Sequence, residues 1–397
     1  MAKQTIKDVK LDGKKVIVRV DFNVPFDKKT FVVTDITRIK AAVPTIKYLL
    51  KHNAKVILMS HLGRIDKIED TFSNSLKIVV PQLEELLGKK ILFVPTTKGN
   101  VLEQAINEMK PKDVILMENT RFEDVDGKKE SNNNPDLAKY WASLGDIFVM
   151  DAFGSAHRAA ASVSGIPQFI KTSVAGFLLE KEVAFLHDAI ATPKRPLVAI
   201  LGGAKVSDKI GVIKALVNVA DYVLIGGGMA YTFYYAKGHE IGNSLLERDK
   251  VELAKDLLKN PKVIIGLDCV CGKKFADVKG VVREVDNILQ DEEGLDIGPK
   301  TIDLFSSIIA KAKTIIWNGP LGVFEFKNYE KGTKAIAKAI AANTEAVSII
   351  GGGDSASAVT KFRMTKKFTH ISTGGGASLE YLEGKLLPGV EAIKDKK

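Results

Sequence analysis

Short apolar, β-branched runs recur along the chain, separated by stretches whose apolar residues return every third or fourth position. In the first half the runs are 15–20 (KVIVRV), 55–60 (KVILMS), 91–94, 114–117 and 147–151. In the second half they are 197–201, 222–225, 263–267, 314–317, 347–350 and 368–372. Runs that are apolar on both faces predict parallel strands covered on both sides. The intervening stretches 37–52, 73–87, 249–258 and 333–342 carry the spacing of amphipathic helices. Strand and helix alternating throughout predicts an α/β fold of two doubly wound, Rossmann-like parallel-sheet domains. Between 173 and 192 lies a helical pattern, VAGFLLEKEVAFLHDAI, halted by the two prolines of TPKRP (192–196). It is expected to be an interdomain helix acting as a hinge, with residues 1–172 before it and 193–381 after it.

Composition narrows the class. Of 397 residues, 45% are apolar and 27% charged, which excludes bulk disorder and a fibrous repeat. No run approaches the ~20 apolar residues of a membrane span, and the opening MAKQTIKDVK carries charges where an export signal needs an apolar core. The two cysteines, Cys269 and Cys271, are placed poorly for a disulfide and too sparsely for zinc. They are expected to be partly buried free thiols in a reducing cytoplasm. The net charge of +10 favours anionic partners. The basic residues form no long tract, however: KKE (128–130) and KDKK (394–397) read as solvated surface. Aromatic residues are 7% and do not alternate with the basic ones, so a nucleic-acid groove is not expected.

In open parallel sheets ligands bind beyond the carboxyl ends of the strands, so the residues that follow each run carry the most information. The first-half exits read Arg19-Val-Asp21-Phe-Asn23, Ser60-His61-Leu-Gly-Arg64, Glu118-Asn-Thr-Arg121 and Asp151-Ala-Phe-Gly-Ser-Ala-His157-Arg158, with Arg38 opening the next helix. Arg38, Arg64, Arg121 and Arg158, with His61, are expected on one rim. Guanidinium groups fit carboxylate and phosphate oxygens in pairs, and several together need an anion between them.

The second-half exits are glycine-rich: Leu201-Gly-Gly-Ala-Lys205, Ile225-Gly-Gly-Gly-Met229, Trp317-Asn-Gly-Pro-Leu-Gly322, Ile350-Gly-Gly-Gly-Asp354-Ser355 and Ser372-Thr-Gly-Gly-Gly376. Such turns bring backbone amides close to phosphate oxygens. None matches the phosphate-loop or dinucleotide fingerprint, which argues against a nicotinamide-dependent dehydrogenase and for a nucleotide triphosphate site of another design. Lys205 and Lys209 could reach its phosphates, and Asp354 offers an oxygen suited to Mg²⁺. An acid on one domain and a nucleotide on the other point to phosphoryl transfer. A carboxylate acceptor, already ionised, would need no general base.

Several motifs then carry a specific resemblance. RVDFNVP (19–25), SHLGR (60–64), DAFGSAHRA (151–159), LGGAKVSDKI (201–210), LIGGGMAYTF (224–233), GLDIGPKT (294–301), WNGPLGVFE (317–325), GGGDSA (351–356) and STGGGASLEYLEGKLLPG (372–389) resemble the phosphoglycerate kinases. The resemblance implies reversible transfer between ATP and the carboxylate of 3-phosphoglycerate, with Mg²⁺, in a cytoplasmic, monomeric glycolytic enzyme that neither binds nucleic acid nor enters membranes. It implies that the acid is held by Asp21, Phe22, Asn23, His61, Leu62, Gly63, Arg64, Arg121 and Arg158. Arg38 would bridge the acid and the transferring group. Lys205, Lys209, Gly375 and Gly376 would act on the phosphoryl in flight. Gly227, Gly228, Gly294, Asn318, Pro320, Glu325, Gly352, Gly353 and Ser355 would hold the nucleotide, and Asp354 the metal. It also implies that 382–397 packs back on the first domain. Ile65 stands where the family usually has proline, Ser155 and Ser355 where it has threonine, and Thr120 where it has an apolar residue.

Overall fold

The computed structural model describes residues 3–396, so Met1, Ala2 and the last lysine of KDKK lie outside the described residues. The chain divides into two compact units. One runs through Val183 and takes in the stretch from Leu386 onward; the other is Ala184–Lys385. No helix among the described residues is long and apolar enough to cross a membrane.

In the first unit the strands are β1 (Lys15–Val20), β2 (Lys55–Met59), β3 (Leu92–Val94), β4 (Val114–Met117), β5 (Ile147–Asp151) and β6 (Ser173–Ala175). They pair in parallel in the order β3-β4-β2-β1-β5-β6. β1 lies between β2 and β5, so the order turns back on itself there, and the exits of β4, β2, β1 and β5 stand side by side. Val16, Val18, Val20, Leu58, Leu116 and Val149 fill the layer between the sheet and helices such as Thr37–Lys51, whose Ile39, Ile46 and Leu49 are buried. The closing residues fasten onto this unit. The Gln4 amide donates to the Lys394 carbonyl at 2.8 Å, Lys3 pairs with Asp395 at 3.0 Å, and the Gly389 amide donates to the Ala156 carbonyl at 2.8 Å.

The stretch read as helix from 173 opens instead with β6, paired to β5. Gly176 ends the strand, and the helix Phe177–Ala191 follows. Its first turn is held by Asp151, whose Oδ1 accepts from the Leu178 and Leu179 amides at 2.9 and 3.3 Å. The division between the units falls inside this helix. The helix expected over 73–87 is also broken: Leu76–Val79 is a tight 3₁₀ turn, and the α-helix begins at Val80 with Pro81 in its first turn.

In the second unit β7 (Leu197–Leu201), β8 (Tyr222–Ile225), β9 (Val263–Ile265), β13 (Thr314–Asn318), β14 (Val347–Gly351) and β15 (His370–Ile371) form a parallel sheet in the order β15-β14-β13-β7-β8-β9. The apolar periodicity did not reveal a second, antiparallel sheet of β10 (Asp268–Gly272), β11 (Val281–Glu284) and β12 (Glu293–Ile297), in the order β11-β10-β12. Both cysteines lie on β10, buried and free, with their sulfurs 3.4 Å apart.

Candidate active site

The exits of the first sheet build an anion-shaped cavity from buried polar groups. Arg19, the one charge inside β1's apolar interior, is only 2% exposed. Its Nε donates to Ser162 Oγ at 2.8 Å and its Nη2 lies 3.0 Å from His61 Nδ1. Ser162 in turn donates to Glu130 from its amide (2.9 Å) and its hydroxyl (2.5 Å). Glu130 is thus buried, and the reading of KKE as wholly solvated is corrected: the two lysines stay at the surface side while the chain turns the carboxylate inward, where Ser162 and Arg19 compensate its burial. Arg19, His61, Arg121, Glu130, Ser131, Ser155 and Arg158 line a cavity of about 180 Å³.

The loop after β2 is pinned by Asn119. Its Oδ1 accepts from the Leu62 and Arg121 amides, both at 3.1 Å, and its Nδ2 donates to the Leu62 carbonyl at 2.7 Å. Arg121 Nη1 donates to the Gly63 carbonyl at 2.6 Å, and the Gly63 amide donates to Asn23 Oδ1 at 2.8 Å. Phe22 is buried, with its amide on Ser60 Oγ at 2.8 Å. Arg38 does not line the cavity. It sits on Asp21, with Nη1 3.0 Å from each carboxylate oxygen and 3.1 Å from the Asn23 carbonyl. Arg64 is exposed and outside the lining. Of the unusual positions, Ile65 and Thr120 are buried, and Thr120 passes its amide to the Ser60 carbonyl at 3.0 Å.

Burial, followed by the cations Arg19, Arg121, Arg158 and Arg38, holds the His61 imidazole well below its ordinary pKa, so the ring is neutral. Burial also lowers Arg19 and Arg121, but a guanidinium remains a cation throughout the physiological range. Burial pushes the Glu130 carboxyl up, opposed by Arg19 and by the Ser162 bonds. Three cations face one engaged carboxylate here.

The glycine-rich exits of the second unit split into two kinds. A Cβ on Gly202 would come within 2.1 Å of the Pro320 carbonyl, and one on Gly319 (φ +98°) within 2.2 Å of the Gly202 carbonyl. These glycines let the turns that follow β7 and β13 pack backbone against backbone. Gly353 instead faces open space, and a Cβ on Gly375 would lie 3.1 Å from the Gly353 amide nitrogen. The starts of the helices Gly353–Lys361 and Gly375–Leu382 are therefore neighbours, and their unpaired first-turn amides make a place for phosphate oxygens. Gly352 precedes the first of them in a left-handed conformation (φ +88°). Ser355 Oγ, buried, accepts from the Gly319 amide at 2.7 Å.

Beside these helix starts is a largely apolar cavity of about 270 Å³. Gly227, Gly228, Gly294, Pro320, Glu325 and Asp354 line it with Tyr231, Leu245 and Leu321. A Cβ on Gly294 would meet the Tyr231 hydroxyl at 1.7 Å, so only glycine leaves this floor open. Lys209 donates to Asn318 Oδ1; burial lowers its pKa, and Asp354 and Asp208 oppose the shift. Lys205 is exposed. Asn318 Nδ2 is buried without a partner among the described residues.

A family model described as phosphoglycerate kinase matches residues 6–385. The chain belongs to the phosphoglycerate kinase family. It is 58% identical to the phosphoglycerate kinase of Listeria welshimeri over 399 aligned positions, covering 100% of both chains. It is 57% identical to that of Fusobacterium nucleatum, covering 99% of this chain and 100% of the relative. The solved phosphoglycerate kinase of Coxiella burnetii superposes with a TM-score of 0.87 at 37% identity, covering 98% of each chain. The resemblance drawn from the motifs, and the α/β two-domain fold, are borne out.

Within this phosphoglycerate kinase fold, sequence reasoning missed Arg19, Glu130, Ser131 and Ser162 at the first cavity, and Tyr231 and Leu245 at the second. Arg19 alone carried a signal, a charge in an otherwise apolar strand.

Proposed function

We propose that the arginine-lined cavity holds the phosphate of 3-phosphoglycerate and that the glycine-floored cavity holds the nucleotide of the family's reaction, phosphoryl exchange between ATP and the acid's carboxylate. The observation that carries this reading is the cavity of Arg19, His61, Arg121 and Arg158, whose one carboxylate is already engaged. His61 acts as a neutral donor, Arg121 and Arg158 as cations, and Asp21 and Asn23 receive the hydroxyl and carboxylate end, with Phe22, Leu62 and Gly63 shaping the backbone between them. Arg64 is close enough in sequence to reach the acid from the exposed rim.

Arg38, already oriented by Asp21, is the group that meets charge developing on the transferring phosphoryl. The amides of Gly353, Ser355, Gly375 and Gly376 receive its equatorial oxygens, while Lys205 and Lys209 follow the nucleotide phosphates. No proton need be removed from a carboxylate acceptor, so the residues position and neutralise rather than abstract. Among the described residues no group of three or more His, Cys, Asp or Glu could cage a metal ion. Asp354, an exposed carboxylate lining the second cavity, nevertheless suits Mg²⁺ bound mainly through nucleotide phosphates. Mg²⁺ would neutralise charge between the phosphates when bound.

Each binding set is complete within one chain, which supports a monomer, and two free buried thiols support a reducing, cytoplasmic setting. Bending within the helix Phe177–Ala191 would bring acid and nucleotide together. Steady-state turnover of 3-phosphoglycerate with ATP, dependent on Mg²⁺ and saturable in both substrates, tests the reading; no turnover would refute it.

A further inference from the structure

Four buried polar side chains behind the acid cavity form a chain with only one consistent direction. Arg19 can only donate. The contact of 3.0 Å between its Nη2 and His61 Nδ1 therefore requires that Nδ1 accept through its lone pair. Ser162 Oγ accepts from Arg19 Nε at 2.8 Å, so its own proton goes to Glu130 Oε1 at 2.5 Å. Glu130 Oε2 takes the Ser162 amide at 2.9 Å. Arg19, His61, Glu130 and Ser162 are all buried, so bulk water does not compete for these roles. An imidazole that accepts at Nδ1 and is neutral must carry its proton at Nε2.

We infer that Arg19 is a positioning residue that fixes His61 as the neutral Nε2–H tautomer, with Ser162 and Glu130 holding Arg19 in place. The cavity then presents one hydrogen-bond donor at His61 that neither switches to an acceptor nor becomes a cation across the physiological pH range. The groups that face this ring are Arg19 from β1, Arg38 from the helix Thr37–Lys51, Arg121 from the exit of β4 and Arg158 from the exit of β5, and all of them disfavour a second proton. Glu130, the nearby carboxylate, is separated from the ring by Arg19 and Ser162. Strong anion binding in the cavity is thereby left to the permanent guanidinium charges, and His61 reads the position of an oxygen rather than its charge. This consequence for the acid rests on the proposed reading of the cavity; the tautomer does not.

The test uses the full-length protein with ¹⁵N-labelled histidine. The chain has only six histidines, and the resonances of His61 are assigned with His61→Gln. In the parent protein Nδ1 is expected to stay unprotonated and Nε2 protonated from pH 5.5 to pH 8. Arg19→Met alone would leave Glu130 as an unpaired buried charge, so the informative variant is Arg19→Met with Glu130→Gln. In it His61 should populate both neutral tautomers, while burial and the remaining Arg121, Arg158 and Arg38 still hold its pKa below the ordinary value. Arg19→Lys, which keeps a donor and a charge, should restore the single tautomer.

The KM for 3-phosphoglycerate is then compared as the ratio of double variant to parent at each pH, which cancels the ligand's own ionisation. The ratio should exceed one at every pH, because the freed ring offers the acid a donor only part of the time. A proton on Nδ1 in the parent protein, or an unchanged tautomer in the double variant, would overturn the inference. Should 3-phosphoglycerate shift no His61 resonance while the tautomer behaves as stated, the reading of the cavity as the acid site fails and the role of Arg19 stands.

Discussion

Arg38→Ala separates a catalytic role from a structural one, because the structure bounds both costs. Arg38 is bonded through Nη1 alone, at 3.0 Å to both oxygens of Asp21 and 3.1 Å to the Asn23 carbonyl. Its side chain is 33% exposed while that of Asp21 is 5% exposed. Breaking a fully buried pair costs about 3–5 kcal/mol, and an exposed pair contributes at most ~1 kcal/mol. This half-buried arginine therefore contributes about 1–2 kcal/mol, which lowers the melting temperature by roughly 2–8 °C in a domain of this size. The fold should survive that. If Arg38 meets charge that develops only during transfer, its loss removes one preorganised donor and should lower kcat by about 100- to 1000-fold. Initial rates at saturating ATP and 3-phosphoglycerate, with thermal unfolding measured on the same samples, read both quantities. A kcat within about threefold of the parent, with only the KM for the acid raised, would make Arg38 a ground-state binding residue and refute its assignment to the transfer step.

Three further outcomes are expected. Arg121→Ala should raise the KM for 3-phosphoglycerate by roughly 10- to 100-fold, the loss of a charge-assisted bond, and leave ATP binding measured by calorimetry unchanged; weakened ATP binding would contradict the assignment of the two cavities. Gly294→Ala places a methyl 1.7 Å from the Tyr231 hydroxyl and should weaken ATP binding about tenfold or more without affecting the acid, whereas normal ATP affinity would show that the nucleotide avoids this floor. Burial pushes the Asp151 carboxyl up to about 7, so its favourable contribution is complete below about pH 4 and is lost as pH rises through 7. Asp151→Asn stays neutral. Its unfolding free energy relative to the parent should therefore climb between pH 4 and pH 7, by at most about 1.4 kcal/mol per pH unit; a flat difference in urea titrations would refute it.

The two parallel sheets were legible because their strands are buried on both faces, so β5, β7 and β13 stand out as apolar runs and β1 as one interrupted only by Arg19. The antiparallel sheet was not, since β11 (VVRE) has exposed valines and β12 (EGLDI) interrupts its apolar residues with Gly294 and Asp296. Three residues of β6 gave too short a run to separate from the helix after Gly176. At the acid cavity, motif reading found His61, Arg121 and Arg158 because they lie in the loops that follow β2, β4 and β5. Glu130 arrives from a turn and Ser162 from the short π-helical turn Ala161–Gly165, where nothing local marks a charged residue for burial. Glycine counting also merged two functions. Gly202 and Gly319 serve the close backbone packing of the turns after β7 and β13, and Gly353 and Gly375 open the helix starts; only the packing around each Cβ position tells them apart.

The attachment of the closing residues to the first unit sets an order of maturation during synthesis. The Ala156 carbonyl, which belongs to the same turn as Ser155 and Arg158 of the acid cavity, waits for the Gly389 amide. Some 200 residues of the second unit are translated in between, which takes roughly 10–40 s at ~5–20 residues per second. The nucleotide half can therefore finish first, and the acid half completes its wall only once Gly389 has emerged.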